Sequence, residues 1–160
     1  MYEKWNAVRW STQLSDIRSL QMVTLVDDGQ LTITVEDLRS PARKRWSIIF
    51  EKAPIYQNIL EEFRFELWHK LNIIENDLGF TLKYPDSVWH KMIGEKEPLL
   101  DDYYPNMQHF QIVTEDDVID VLSEKEPAIV EIEPAASGEP APGKSIIHYR
   151  EKNREEDIKD

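Results

Sequence analysis

The chain has 160 residues, of which 41% are apolar and 31% are charged, and it carries a net charge of −12 and no cysteine. This length suits one ordinary hydrophobic core, and the composition is that of a globular protein. The negative charge disfavours binding to nucleic acid or anionic lipid, and the lack of cysteine excludes disulfides and thiolate metal sites. No apolar run approaches the roughly 20 residues of a membrane helix, and the first residues lack the layout of a signal peptide, so we expect a cytoplasmic location.

The composition changes at residue 134. Residues 134–143 are rich in Pro, Ala and Gly, as in a flexible linker, and residues 144–160 form a tail of mixed charge. Residues 134–160 hold six acidic and five basic side chains, which leaves 25 acidic and 14 basic side chains, a net charge of −11, in residues 1–133. We therefore predict a single acidic α+β domain over residues 1–133, followed by a linker and tail over residues 134–160. Whether the short apolar run at 146–149 is free or docks as a strand stays open.

The first half of the chain reads mainly as strands. An irregular N-terminal segment carries Trp5 and Trp10, which either pack on the core or anchor a partner. A hairpin is predicted from the apolar runs at 20–26 and 31–35, because Gly29 between them can supply a positive φ. The basic patch at 39–45 is either a solvated loop or a site for phosphate or carboxylate, and a further strand follows at 46–50.

The second half mixes helix and strand patterns. Apolar residues at spacings of three and four predict an amphipathic helix within residues 55–72 that begins near Asn58. A strand at 80–84 and a compact helix at 85–94, capped by Asp86 or Ser87, precede an acidic loop at 95–106. Residues 107–132 contain three short apolar runs that predict an antiparallel meander. The fold class is therefore α+β, mainly antiparallel sheet with about six to seven short strands and two helices packed on it.

No pattern of residues indicates catalysis, a metal site or a cofactor. The four histidines show neither the i,i+4 spacing nor the HExxH motif of a zinc site, and the glycines form no phosphate-binding loop. The acidic pairs lack the spacing of a calcium loop. His109 lies near two acidic clusters and is the one candidate for acid–base chemistry, although a histidine at the start of a strand is far more often a packing or hydrogen-bonding residue.

Two segments carry a family resemblance. Glu66-Leu67-Trp68, Phe80-Thr81-Leu82 and Ser87-Val88-Trp89 form the first, and residues 109–114, Asp117, residues 119–123 and Glu126-Pro127 form the second. Together they resemble a loosely defined group of small uncharacterised bacterial proteins whose members include immunity proteins of toxin systems. The resemblance covers about residues 20–132. It implies an α+β domain without a known active site, and it names no partner.

The charge and the resemblance together predict a non-catalytic protein-binding module. Its sharpest form is an immunity protein or antitoxin-like neutraliser of a basic partner, such as a toxin or nuclease, which an acidic surface would attract. The alternative is a small-ligand-binding domain or small enzyme with a pocket near His109. The predicted partner-binding residues are acidic side chains with two aromatic anchors, namely Asp101, Asp102, Tyr103, Tyr104, Glu115, Asp116 and Asp117.

Overall fold

Two antiparallel β-sheets make up most of the structure, a computed structural model that describes residues 6–60, 63–64 and 77–143. The strands are β1 (Val8–Arg9), β2 (Leu20–Asp27), β3 (Leu31–Asp37), β4 (Arg45–Phe50), β5 (Ile55–Leu60), β6 (Thr81–Tyr84), β7 (Gln108–Val113), β8 (Asp117–Ser123) and β9 (Ala128–Ile132). The helices are α1 (Val88–Lys96) and α2 (Leu99–Tyr103). One sheet has the order β1-β6-β7-β8-β5 and the other has the order β2-β3-β4-β9.

The main core lies between the two sheets. Alternate residues of β3 and β4 are buried, as expected for strands with one face on the core. They pack in one apolar cluster with residues of β7 and β8, and the rings of Phe50 and Phe110 meet edge to face with centroids 5.7 Å apart. Trp10 is buried against Phe110. This agrees with the first of the two predicted roles of the N-terminal tryptophans, packing on the core. Trp5 lies outside the described residues.

The five-stranded sheet is buried on its second face as well. Every residue of β8 is buried, although neighbouring side chains of a strand point to opposite faces. On this outer face Leu82, Val113 and Val118 form a second apolar cluster, and Trp89 of α1 packs on the ring of His109. A strand that is buried on both sides explains why residues 118–122 are apolar on both faces apart from Asp120.

Much of the predicted strand pattern is confirmed. The seven strands expected from alternation and β-branched content are present, and β2 and β3 form the predicted hairpin with Gly29 at a φ of 96°. Ser87 caps α1 by accepting a hydrogen bond from the backbone N–H of His90. The described residues contain nine strands rather than six to seven, because β1 and β5 were not expected as strands.

The helix predicted to begin near Asn58 is wrong over its first part. Residues Ile55–Leu60 form β5, an antiparallel partner of β8 in which Asn58 pairs with Ile119. Ile55, Ile59 and Leu60 fit a helical spacing, but they fit a half-buried strand equally well, and pairing with a distant strand decided between the two. Of the remainder of that predicted helix, residues 61–62 and 65–72 lie outside the described residues.

The predicted meander of three strands is also wrong in its last strand. β7 and β8 pair as expected, but β9 crosses to the other sheet and pairs with β4, because β5 occupies the free side of β8. Two short helices are present, as predicted, within the part of the chain that the structure describes. The second of them is α2, which lies in the segment expected to be a loop.

Candidate functional site

The seven predicted partner-binding residues fall into two groups at opposite ends of β7. Residues 101–104 precede this strand, and residues 115–117 follow it at the turn into β8. The six residues of β7 separate the groups by about 17 Å, at a rise of about 3.4 Å per residue. The residues therefore do not form one continuous surface.

The first group presents an apolar face with acidic neighbours. Leu99 is 65% exposed and Tyr103 is 75% exposed, and their spacing of four places them on the same side of α2. Asp102 is exposed next to them, whereas Asp101 points to the opposite side of α2, where its Oδ1 lies 2.9 Å from Nε2 of His90 in α1. Two large exposed side chains next to a carboxylate are typical of a protein-binding patch.

Tyr104 lies beside a groove rather than on this patch. The ammonium group of Lys52 lies 5.3 Å from the centre of the Tyr104 ring, within the range of a cation–π contact. The groove has a volume of about 350 Å³ and is lined by Glu51, Lys52, Pro54, Tyr104, Ser123, Glu124 and Lys125. Its charges are mixed, since Lys125 forms an ion pair with Glu51 at 3.1 Å.

The second group belongs largely to the β7–β8 turn. Glu115 is exposed, whereas Asp116 accepts a hydrogen bond from the side-chain amide of Gln21 at 3.0 Å. Asp117 is 1% exposed, and its backbone exchanges hydrogen bonds with Thr114 across the turn. The side chain of Asp117 is therefore buried and does not lie on the surface that the prediction requires.

A buried polar network occupies the outer face of the five-stranded sheet. Its centre is Asp120, whose Oδ1 accepts hydrogen bonds from His109 at 2.7 Å and Gln111 at 2.8 Å. Its Oδ2 accepts hydrogen bonds from Arg64 at 2.9 Å and Gln57 at 3.0 Å. The pairing of β7, β8 and β5 places Gln111, Asp120 and Gln57 in one row on the same face.

The network keeps Asp120 ionised. Burial by itself would raise the pKa of Asp120, but the hydrogen bond and charge of His109 and the charge of Arg64 outweigh it and lower the pKa from 3.8 to about 2. Tyr84 donates a hydrogen bond to Oε1 of Gln111 at 2.7 Å, and burial raises the pKa of this phenol well above its ordinary value. All four lone-pair positions of a buried carboxylate are used here, which is the condition for burying such a charge.

Ser87 extends this network to the helix that covers the sheet. Its Oγ lies 2.7 Å from Nδ1 of His109, whose ring stacks on Tyr84 with centroids 4.4 Å apart. Because ionised Asp120 only accepts, Nε2 of His109 donates to it. In the imidazolium form Nδ1 donates to Ser87 Oγ, and in the neutral form Nδ1 accepts the Ser87 hydroxyl proton. Ser87, His109 and Asp120 thus form a hydrogen-bonded chain of the kind that activates a serine nucleophile.

The surroundings of this chain favour a structural role. Ser87 is 7% exposed and its Oγ already accepts the N–H of His90, while the side chains of His109 and Asp120 are each 1% exposed. The sequence analysis identified His109 but missed its partners. The signal present in the sequence was the alternation of His109 and Gln111 with apolar residues of β7, which places two polar groups on one face of a strand.

The described ranges contain no group of three or more His, Asp or Glu side chains arranged to hold a metal ion. They also contain no helix long and apolar enough to cross a membrane. Neither a protein-family model, nor a curated protein, nor a solved structure matches this chain. Function is therefore inferred from the geometry and charge of the chain alone.

Proposed function

We propose that this protein is a non-catalytic, acidic protein-binding module that neutralises a basic partner protein, in the manner of an immunity protein or antitoxin. The observation that carries the proposal is the exposure of Leu99 and Tyr103 on one side of α2, next to the exposed Asp102. We call Leu99, Asp102 and Tyr103 the α2 patch. Exposed apolar anchors supply affinity, and the neighbouring carboxylate selects a basic partner.

The overall charge supports the same function. A net charge of −12 on 160 residues creates a negative potential that accelerates encounter with a basic surface. The basic surface of a nuclease or toxin that holds phosphate is a suitable target, because an acidic protein can occupy it in place of the nucleic acid. Binding of this kind weakens as salt is added, since the steering charges are exposed and screened.

The test is affinity capture from the host with three forms of the protein at low and high salt. The wild type is compared with Asp102→Lys, in the α2 patch, and with Glu115→Lys, at the opposite end of β7. Both variants change the net charge equally. Both positions are exposed, so we expect neither variant to disturb the fold, and thermal unfolding checks this. We expect a basic protein that wild type and Glu115→Lys retain, that Asp102→Lys loses, and that elutes as salt rises.

Tyr103→Ala distinguishes the contribution of the aromatic side chain to binding from that of the charge. It removes an exposed ring without altering the net charge, so loss of the captured protein would assign affinity to the aromatic contact. Capture that is the same for all four forms would contradict the α2 patch as the binding surface. The absence of any specific protein at either salt concentration would contradict the neutraliser function itself.

The alternative is a small enzyme or ligand-binding domain at His109, and the chain of Ser87, His109 and Asp120 is the observation that favours it. A fluorophosphonate probe, which reacts with activated serines, tests this function directly. Labelling of the wild type that disappears in Ser87→Ala would favour the enzyme over the binding module. A protein that stays unlabelled, as the burial of Ser87 leads us to expect, would remove the alternative of a serine nucleophile.

A further inference from the structure

The basic patch of the chain surrounds a buried carboxylate. Glu36 of β3 has a side chain that is 1% exposed, and it forms ion pairs with Arg43 at 3.2 Å and Arg45 at 2.9 Å. One carboxylate neutralises only one of the two guanidinium groups. The three side chains therefore hold one further positive charge, and Arg43, with 26% of its side chain exposed, directs it to the surface.

The chain's own segment 135–140 supplies the missing negative charge. The carboxylate of Glu139 binds Arg45 through both oxygens, at 2.8 Å and 3.4 Å. Arg43 donates to the backbone carbonyls of Glu139 and Pro140, and its own carbonyl accepts the N–H of Ala135 at 3.2 Å. The linker-like composition of this segment did not predict these contacts.

The segment is folded into a turn that presents its carboxylate. The N–H of Glu139 bonds to the carbonyl of Ala136 at 3.0 Å, and the N–H of Ala136 bonds back to the Glu139 carboxylate at 3.2 Å. Gly138 has a φ of 81°, the positive value that the third residue of a type II turn requires. The backbone of Arg43, which contacts this turn, also has a defined and unusual conformation. Its φ is 55°, which is uncommon for a residue with a side chain.

We propose that Arg43 and Arg45, backed by Glu36, form a recognition site for a turn peptide that carries a carboxylate, and that residues 135–140 occupy this site in cis. The segment follows β9 by two residues, so its effective concentration at the site is high, on the order of millimolar or above. It acts as a strap that closes the basic patch formed by Arg43 and Arg45. Release of the strap opens a bidentate arginine site to an acidic turn of another protein.

The first experiment measures whether the strap is docked in solution. Amide hydrogen exchange at Ala135 is compared in the full-length wild type, in Glu139→Ala and in Glu133→Ala. Glu133→Ala is the matched control, since it removes the same charge from the exposed chain just before the strap. We expect exchange at Ala135 to become faster by about tenfold or more in Glu139→Ala alone, the effect of losing a charge-assisted bidentate contact. Equal exchange in all three proteins would overturn the cis docking.

The second experiment measures recognition in trans. A synthetic peptide with the sequence of residues 134–143 is titrated by NMR into full-length Glu139→Ala, whose site is open, at peptide concentrations up to about the effective concentration of a short tether. We expect saturable shifts at Arg43 and Arg45 in Glu139→Ala. The shifts at Arg43 should be absent in Glu139→Ala/Arg45→Ala, and both should be absent with a peptide in which Glu is replaced by Gln. Shifts that persist in either control, or no shifts at all, would overturn the recognition site.

Discussion

His109 and Asp120 are diagonal neighbours on adjacent strands, and their side chains meet with Nε2 at 2.7 Å from Oδ1 on a face of the sheet that is closed to solvent. The carboxylate is held by four donors from β5, β7 and Arg64. A charged group with this many partners contributes to stability only while all of them remain in place. The stability of the outer face should therefore be sensitive to the substitution of a single residue of this network.

Replacement of Asp120 by Asn should destabilise the protein by about 3 kcal/mol or more, because it leaves Arg64 buried without its counter-charge and turns an acceptor into a donor facing other donors. Urea unfolding monitored by tryptophan fluorescence measures the loss. Asp102→Asn is the control, since Asp102 is exposed and should change stability by no more than about 0.5 kcal/mol. Equal unfolding midpoints for the two variants would show that the network contributes nothing.

The contribution of Asp120 should depend on pH in the acid range. Its pKa is about 2 in the folded protein against 3.8 for the free side chain, so the folded state favours the ionised form. The resulting stabilisation, about 2 kcal/mol, is complete above pH 4 and is lost as the pH falls towards 2. Unfolding of the wild type and Asp120→Asn across this range should give a difference in free energy that shrinks with falling pH. A difference that stays constant would contradict the lowered pKa.

Replacement of Ser87 by Ala should cost about 1–2 kcal/mol, because the hydroxyl both caps α1 and binds His109. Hydrogen exchange at the amide of His90 separates this effect from general destabilisation, since that N–H bonds directly to Ser87. We expect faster exchange at His90 in Ser87→Ala and near wild-type exchange in Ser87→Thr, which keeps the hydroxyl. Faster exchange in both variants would assign the effect to packing rather than to the cap.

Gly79 and Gly29 form a matched pair of glycines with positive φ, at 74° and 96°. A Cβ at Gly79 would lie 2.6 Å from the carbonyl oxygen of Ser15, which accepts the N–H of Phe80, whereas a Cβ at Gly29 meets nothing within 4 Å. Gly29→Ala should therefore cost about 1 kcal/mol from backbone strain alone, and Gly79→Ala about 3 kcal/mol. Thermal unfolding of both variants checks the order, and a larger loss in Gly29→Ala would contradict the close contact.

Local patterns predicted the elements whose conformation is decided within a few residues. The β2–β3 hairpin follows from two alternating runs around Gly29, and the start of α1 follows from the capping preference of Ser87. The same rules failed over 55–60. Apolar residues four apart satisfy both a helix and a half-buried strand, so the choice depended on β8, about 60 residues away in the chain.

The sequence by itself determined the acidic character, the mainly antiparallel β composition and seven of the strands, because these depend on residue type and short-range periodicity. Only the tertiary structure decided that β9 joins the second sheet and that Ser87, His109 and Asp120 meet with Arg64. It also decided that Glu139 closes the patch of Arg43 and Arg45. Strand pairing and side-chain burial bring together residues that no local window contains, and the gain from satisfying buried charges exists only after that pairing has occurred.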